Sequence, residues 1–204
     1  MQRVNANLMT VVLAVVMIGN WGCAHSPYID VGFRLPPAHD TLAGRTVFVE
    51  THDRRSDAEI FNEPAREQFS NFSGLFSLIL EEPDNRRTVL GAYELPALFE
   101  RAMVQRLQKL GVMPSKQPTA GNPTLQLTID RFQVNLVDRK WMTEISYEAS
   151  LTRDPQRVVR ERVTGSAQRT QIMGRSGAEK VIGEIFTEMI NRLDIEALFQ
   201  KVEQ

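Results

Sequence analysis

From Leu95 to Leu110 apolar residues return at steps of three and four: Leu95, Leu98, Phe99, Ala102, Met103, Leu107 and Leu110. Glu100, Arg101, Gln105 and Lys109 fall on the other side. That period predicts a helix with one apolar stripe turned to a core. Pro96 suits its first turn and Gly111 its stop. A second long helix is predicted from Ser176, where Glu179 three residues on spells a capping box. Its broad apolar face is Val181, Ile182, Ile185, Phe186, Met189, Ile190 and Leu193. Asp194 breaks the pattern and is placed to cap a short amphipathic tail carrying Leu198, Phe199 and Val202.

Between these helices the period changes to two. Leu125, Leu127 and Ile129 share one parity, and Phe132, Val134 and Leu136 share the other. Because strand side chains alternate faces, the slip at Asp130 and Arg131 predicts a bulge. After a turn at Asp138 and Arg139 comes a second strand. It sets Trp141, Thr143, Ile145, Tyr147, Ala149 and Leu151 against Glu144, Glu148, Ser150 and Thr152, one dry face and one wet. Asp154 and Pro155 turn the chain into a third strand, from about Arg157 to Ile172. Before the first helix, Arg45 to Thr51 alternates around Val47 and Val49 and reads as a short strand.

Three stretches carry weaker patterns. Ala24 to Gly44 holds Pro27, Pro36, Pro37 and Gly32 without periodicity, so it is expected to be a flexible tether. His52 to Glu67 is charged and irregular, and reads as a solvated loop. Phe69 to Leu80 crowds Phe69, Phe72 and Phe76 among Leu75, Leu78, Ile79 and Leu80. It is expected to close over the core, with Pro83 to Asn85 turning it back onto Val89 and Leu90. The competing reading makes Phe69, Phe72 and Phe76 an exposed patch contacting a protein partner or lipid. Together the elements predict an α+β fold. It is a two-layer sandwich, with an antiparallel or mixed sheet of about four strands and two long helices packed on one face.

The first 23 residues change the picture from fold to destination. Arg3 precedes the apolar run Leu8 to Ile18, which leads through Gly22 to Cys23, the single cysteine of the 204-residue chain. A basic start, an apolar segment of roughly 7–15 residues and a small residue before the cut describe a secretory signal. A retained spanning helix needs roughly 20 apolar residues, more than this run supplies. Residues 1–23 are therefore assigned as a signal peptide with Cys23 as candidate lipidation site, residues 24–44 as tether and 45–204 as one domain. A lone thiol in an oxidising compartment is a liability that acylation removes. Cleavage after Ala24 is the alternative, and it would release a soluble periplasmic protein.

Composition narrows the chemistry. Without the leader, 23 basic and 25 acidic groups remain, a net charge of −2 that gives no reason to expect nucleic acid. Arginines number 19 and lysines 5. Arg160 and Arg162 project from one face of the third strand, so a surface for an anionic lipid headgroup or acidic partner is conceivable. The plainer reading pairs them across strands with Glu144 and Glu148. A hydrolase would have to be built around His52 and Asp53, yet no G-x-S-x-G elbow accompanies them. His25 and His39 both lie in the tether without the clustering that a zinc site needs. No catalytic residue, metal site or cofactor is predicted.

The signal with lone Cys23, a Pro-containing tether and a strand ending in Thr51, His52, Asp53, Arg54 and Arg55 form an ordered layout. A helix stopping at Gly111, a meander and a closing helix complete it. The chain in this respect resembles small bacterial lipoproteins of the YajG type, and is similar in layout to auxiliary lipoproteins of envelope lipid transport, including the LptE-like ones. The resemblance implies a non-enzymatic lipoprotein held by Cys23 in the outer membrane and facing the periplasm, with an envelope protein as partner. Ala24, following the cysteine, is not the aspartate that resembles an inner-membrane retention signal, which favours outer-membrane sorting in a Gram-negative host. The Phe69 to Leu80 insert departs from that layout.

Overall fold

The computed structural model describes residues 26–154, 157–172 and 174–204. In chain order the elements are β1 (Ile29–Phe33), β2 (Thr46–Asp53), α1 (Glu63–Gln68), β3 (Phe76–Glu81) and β4 (Arg87–Tyr93). There follow α2 (Leu95–Lys109), β5 (Met113–Ser115), β6 (Thr124–Val137), β7 (Lys140–Asp154), β8 (Arg157–Thr170), α3 (Ser176–Arg192) and α4 (Ile195–Glu203). The α+β class and the two long helices stand. The single sheet of about four strands does not: there is a five-stranded sheet in the order β5-β2-β6-β7-β8 and a three-stranded sheet in the order β1-β3-β4.

The meander β6-β7-β8 is antiparallel, and β2 runs parallel to both β5 and β6. Its details follow the side-chain alternation. The register shifts between Ile129 and Arg131, which lets Leu125, Leu127 and Ile129 face the same core as Phe132 and Val134. The β6–β7 turn places both Asp138 (φ 48°) and Arg139 (φ 59°) in the left-handed region, as a two-residue hairpin that follows the strand twist requires. Helices α2 and α3 cover the dry face of this sheet, α2 over β2 and α3 over β7 and β8. The three-stranded sheet closes the same core from the side, with β1 along α3 and with β3 and β4 against α2.

The reading of residues 24–44 as a flexible tether fails over their described part. Ile29, Val31 and Phe33 are completely buried, and β1 pairs in parallel with β3 from Ile29–Phe76 to Phe33–Leu80. Even the run after it is tied down: His39 N–H donates to the Lys109 carbonyl (2.8 Å), Leu42 N–H donates to the Leu110 carbonyl (3.0 Å), and Leu42 is buried. Five residues alternating once around Gly32 are too short to register as periodic, and their partner strand lies more than forty positions away. The irregular segment after β2 likewise contains α1, capped by the Asn62 side chain accepting from Ala65 N–H.

One contact fixes how closely β1 can approach α3. A Cβ at Gly183 would stand 2.8 Å from the Gly32 carbonyl oxygen and 3.0 Å from its nitrogen, so helix and strand backbones touch. Gly183→Ala is therefore expected to destabilise. The helix-propensity gain of about 1 kcal/mol is smaller than the roughly 1–3 kcal/mol that overpacking against rigid backbone costs. A denaturant midpoint equal to or above that of the parent would refute the close packing.

Candidate functional site

The arginines of the wet face are engaged with the acids around them. Arg162 lies 3.2 Å from Asp130 and 3.7 Å from Glu148, and Arg160 lies 3.8 Å from Glu148. Arg54 binds Asp130 at 3.0 Å and Arg131 binds Glu144 at 3.0 Å. Strand alternation and the Asp130 bulge place these groups side by side, giving a band of four arginines and three carboxylates. Such exposed pairs contribute little to stability, about 0–1 kcal/mol each. The expected cross-strand partner Glu148 is present, while Glu144 serves Arg131 instead.

The aromatic insert is interior. Phe69 and Phe76 are buried and Phe72 is half-buried. Their rings join a chain of edge-on and stacked contacts: Phe61 to Phe69 (4.9 Å), Phe61 to Phe72 (5.5 Å), Phe72 to Phe76 (5.3 Å) and Phe76 to Phe132 (5.4 Å). Edge-to-face geometry at these spacings is favourable for aromatic quadrupoles. Phe69 also meets Trp141 at 5.7 Å and lies under the Arg175 guanidinium. As a contact surface for lipid or protein, Phe69 and Phe76 are thus corrected to core: Phe76 lies on β3 between β1 and β4, and Phe69, at the end of α1, packs on Phe61 and Trp141.

A charged cleft runs between the three-stranded sheet and α3, lined by Asp30, Glu81, Arg87, Glu179 and Lys180 among others. Glu81 holds Arg34 at 2.9 Å and Arg87 at 3.5 Å, and Arg175 holds Glu179 at 3.3 Å. Burial pushes the Glu179 carboxyl above the usual carboxylate range, against the opposing pull of Arg175. Glu179 is not part of a side-chain cap: the N-cap position of α3 is Arg175, without a side-chain cap hydrogen bond. The cleft therefore offers ion pairs, with the Ser176 and Thr187 hydroxyls among its lining.

His52 and Asp53 end β2 outside the charged cleft. His52 Nε2 lies 3.5 Å from Glu50, and the Asp53 carboxylate is gripped by Arg55 at 2.8 Å. That hydrogen bond holds the Asp53 carboxyl below its ordinary range. Among the described residues there is no group of three or more His, Cys, Asp or Glu able to hold a metal ion, and no helix long and apolar enough to cross a membrane. Cys23 lies outside the described residues.

One end of the domain stands out instead. The Pro27 carbonyl accepts from the Ser73 N–H (2.9 Å) and hydroxyl (3.0 Å), and the Tyr28 carbonyl accepts from Arg175 (3.1 Å). Gln171 N–H donates to the Arg139 carbonyl (2.8 Å), which ties the end of β8 to the β6–β7 turn. Exposed apolar side chains gather here: Ile172 at 86%, Val137 at 45% and Tyr28 at 38%. Sequence reasoning passes over them, since a single apolar residue in a turn carries no period.

No family model matches this sequence, and no curated protein is similar to it at the sequence level. The fold is that of a Xanthomonas campestris protein, XCC0632 of family DUF330. That structure is 14% identical, with a TM-score of 0.53 over 86% of this chain and 99% of that one. Rare lipoprotein B from Shewanella oneidensis is 10% identical with a TM-score of 0.45, over 78% of this chain and 98% of that one. The hypothetical protein CT253 from Chlamydia trachomatis is 9% identical with a TM-score of 0.42, over 78% and 98%. The first likeness establishes a shared fold, and the two more distant ones add no argument to it.

Proposed function

We propose that the chain is an exported lipoprotein, acylated on Cys23, that serves the bacterial envelope without catalysis as an accessory or assembly component. It faces the periplasm from the outer membrane and engages an envelope protein. One observation carries the reading: the first strand begins at Ile29, six residues beyond the only cysteine, and that cysteine closes an apolar leader. Such an arrangement suits a body held at a bilayer by a thioether. The non-catalytic part is supported by the state of the polar groups, since the acids and arginines of the cleft and the wet face are paired with one another. The YajG-type and LptE-like resemblance belongs to this proposal, with Ala24 after the cysteine favouring the outer membrane.

Metabolic labelling with a palmitate analogue tests it. The mature protein should carry the label and sediment with membranes. Cys23→Ser should lose the label and move to the soluble or precursor fraction. An unlabelled parent whose fractionation does not change on Cys23→Ser would exclude the anchor.

A further inference from the structure

We infer that the end of the domain bearing Tyr28, Val137 and Ile172 rests on the surface of the bilayer that holds Cys23, with these apolar side chains in the headgroup boundary. The inference builds on acylation of Cys23, proposed above, and adds an orientation to it.

Chain geometry supplies the first argument. Pro27 is fixed to Ser73 and Tyr28 to Arg175, so the chain is tied to the folded body from Pro27 onward. Four residue steps separate Pro27 from Cys23. At no more than about 3.6 Å per step they span at most about 14 Å. A stand-off tether is therefore not available, and β1 carries the chain away from this point into the core.

The second argument is what surrounds that point. Ile172 follows Gln171, which is bonded to Arg139, and precedes Arg175, which is bonded to Tyr28. Val137 pairs with Lys140 across the same turn. The three exposed apolar residues thus share the end from which the anchor leaves. Arg139 and Lys140 are exposed beside them, with Asp138 as the acid of that turn. Apolar side chains flanked by cationic ones and an amphipathic tyrosine are the mixture that a membrane–water boundary accepts. Water is a poor partner for Ile172, and a headgroup layer within reach of the anchor is a better one.

Spin labels measure the orientation on the full-length, natively processed protein. Acylation converts the Cys23 thiol to a thioether, so Ile172→Cys, Val137→Cys and Met113→Cys each present one free thiol. Met113 is 58% exposed where β5 pairs with the start of β2, and serves as the reference. In vesicles of phosphatidylethanolamine and phosphatidylglycerol, the labels at 172 and 137 should gain collisions with oxygen. They should also lose collisions with an aqueous nickel chelate relative to 113, at a depth of about 5–10 Å. Nickel access at 172 and 137 equal to that at 113, in protein that mass spectrometry shows to be acylated, overturns the orientation alone. Low access to both oxygen and nickel means that another protein or a second copy covers this end, and also overturns it. Absence of acyl mass overturns the anchor and the orientation together.

Discussion

Replacing Phe99 by alanine is expected to remove about 3–5 kcal/mol of folding stability, the usual cost of deleting a buried ring. Phe99 is fully buried on α2, and its ring centroid lies 5.1 Å from Phe186 of α3, 5.6 Å from Tyr147 of β7 and 6.4 Å from Phe132 of β6. It is the meeting point of both long helices with the five-stranded sheet. Each neighbour belongs to a different element, so none of them can collapse into the vacated space without dragging a helix or strand with it. A domain of this kind is stable by about 5–15 kcal/mol in all, so the loss is a large share of the total. The comparison variant is Val89→Ala, which removes an apolar side chain that is 66% exposed and should change stability by no more than about 0.5 kcal/mol. Denaturant unfolding of both decides the matter. A loss at Phe99 below about 1 kcal/mol would mean that the three ring contacts do not organise the core.

That core was legible in the sequence wherever a period could repeat several times. Leu95 to Leu107 on α2, Val181 to Ile190 on α3 and the alternation Trp141 to Leu151 on β7 name the residues that turn out buried. The parity slip at Asp130 even locates the bulge. What escaped is short or paired at long range. β1 has five residues, β5 has three and α1 has six, too few for a pattern to exceed chance. The parallel pairing of β1 with β3 also needs a crossover that no local signal announces. Proline content made Ala24 to Gly44 look loose, although Pro36 and Pro37 lie beyond the strand and leave its hydrogen bonds intact.

The candidate site was less legible, because charge and aromaticity report composition and not surroundings. Arg160 and Arg162 suggest an anion surface in the sequence, and only the fold shows Asp130 beside Arg162, at the bulge. Phe69 and Phe76 look like a sticky patch until β3 is placed between two strands and α1 sets Phe69 against Phe61 and Trp141. The misread tether matters most for the proposed anchor: with β1 in the core, the chain between Cys23 and the first strand shortens from some twenty residues of tether to five.

Arg106 is the residue whose role no pattern could reveal, and its loss is expected to be nearly as damaging. On α2 it sits between Met103 and Leu107 at the margin of the apolar stripe, half-buried, and burial lowers its pKa. Its guanidinium donates to the carbonyls of Ile190 and, at 2.7 Å, Leu193, while the Tyr147 hydroxyl donates to the Met189 carbonyl at 3.0 Å. These are carbonyls of the last turn of α3 and its C-cap, groups that have no partner within the helix and carry the negative end of its dipole. A cation from one helix thereby terminates the other. Arg106→Met keeps much of the packed stem but removes both donors. Two hydrogen bonds from a charged group are worth about 1.5–3 kcal/mol each, and part of that is offset because the guanidinium no longer has to be desolvated. A net loss of about 2–4 kcal/mol is expected on that basis. Tyr147→Phe, which removes one neutral hydrogen bond, should cost about 1 kcal/mol. Because all three carbonyls belong to one helix end, the double variant should depart from additivity by at least about 0.5 kcal/mol. Hydrogen exchange should quicken first in the last turn of α3. Full protection there in Arg106→Met, with stability within about 0.5 kcal/mol of the parent, would show that solvent closes the helix end as well as the arginine does.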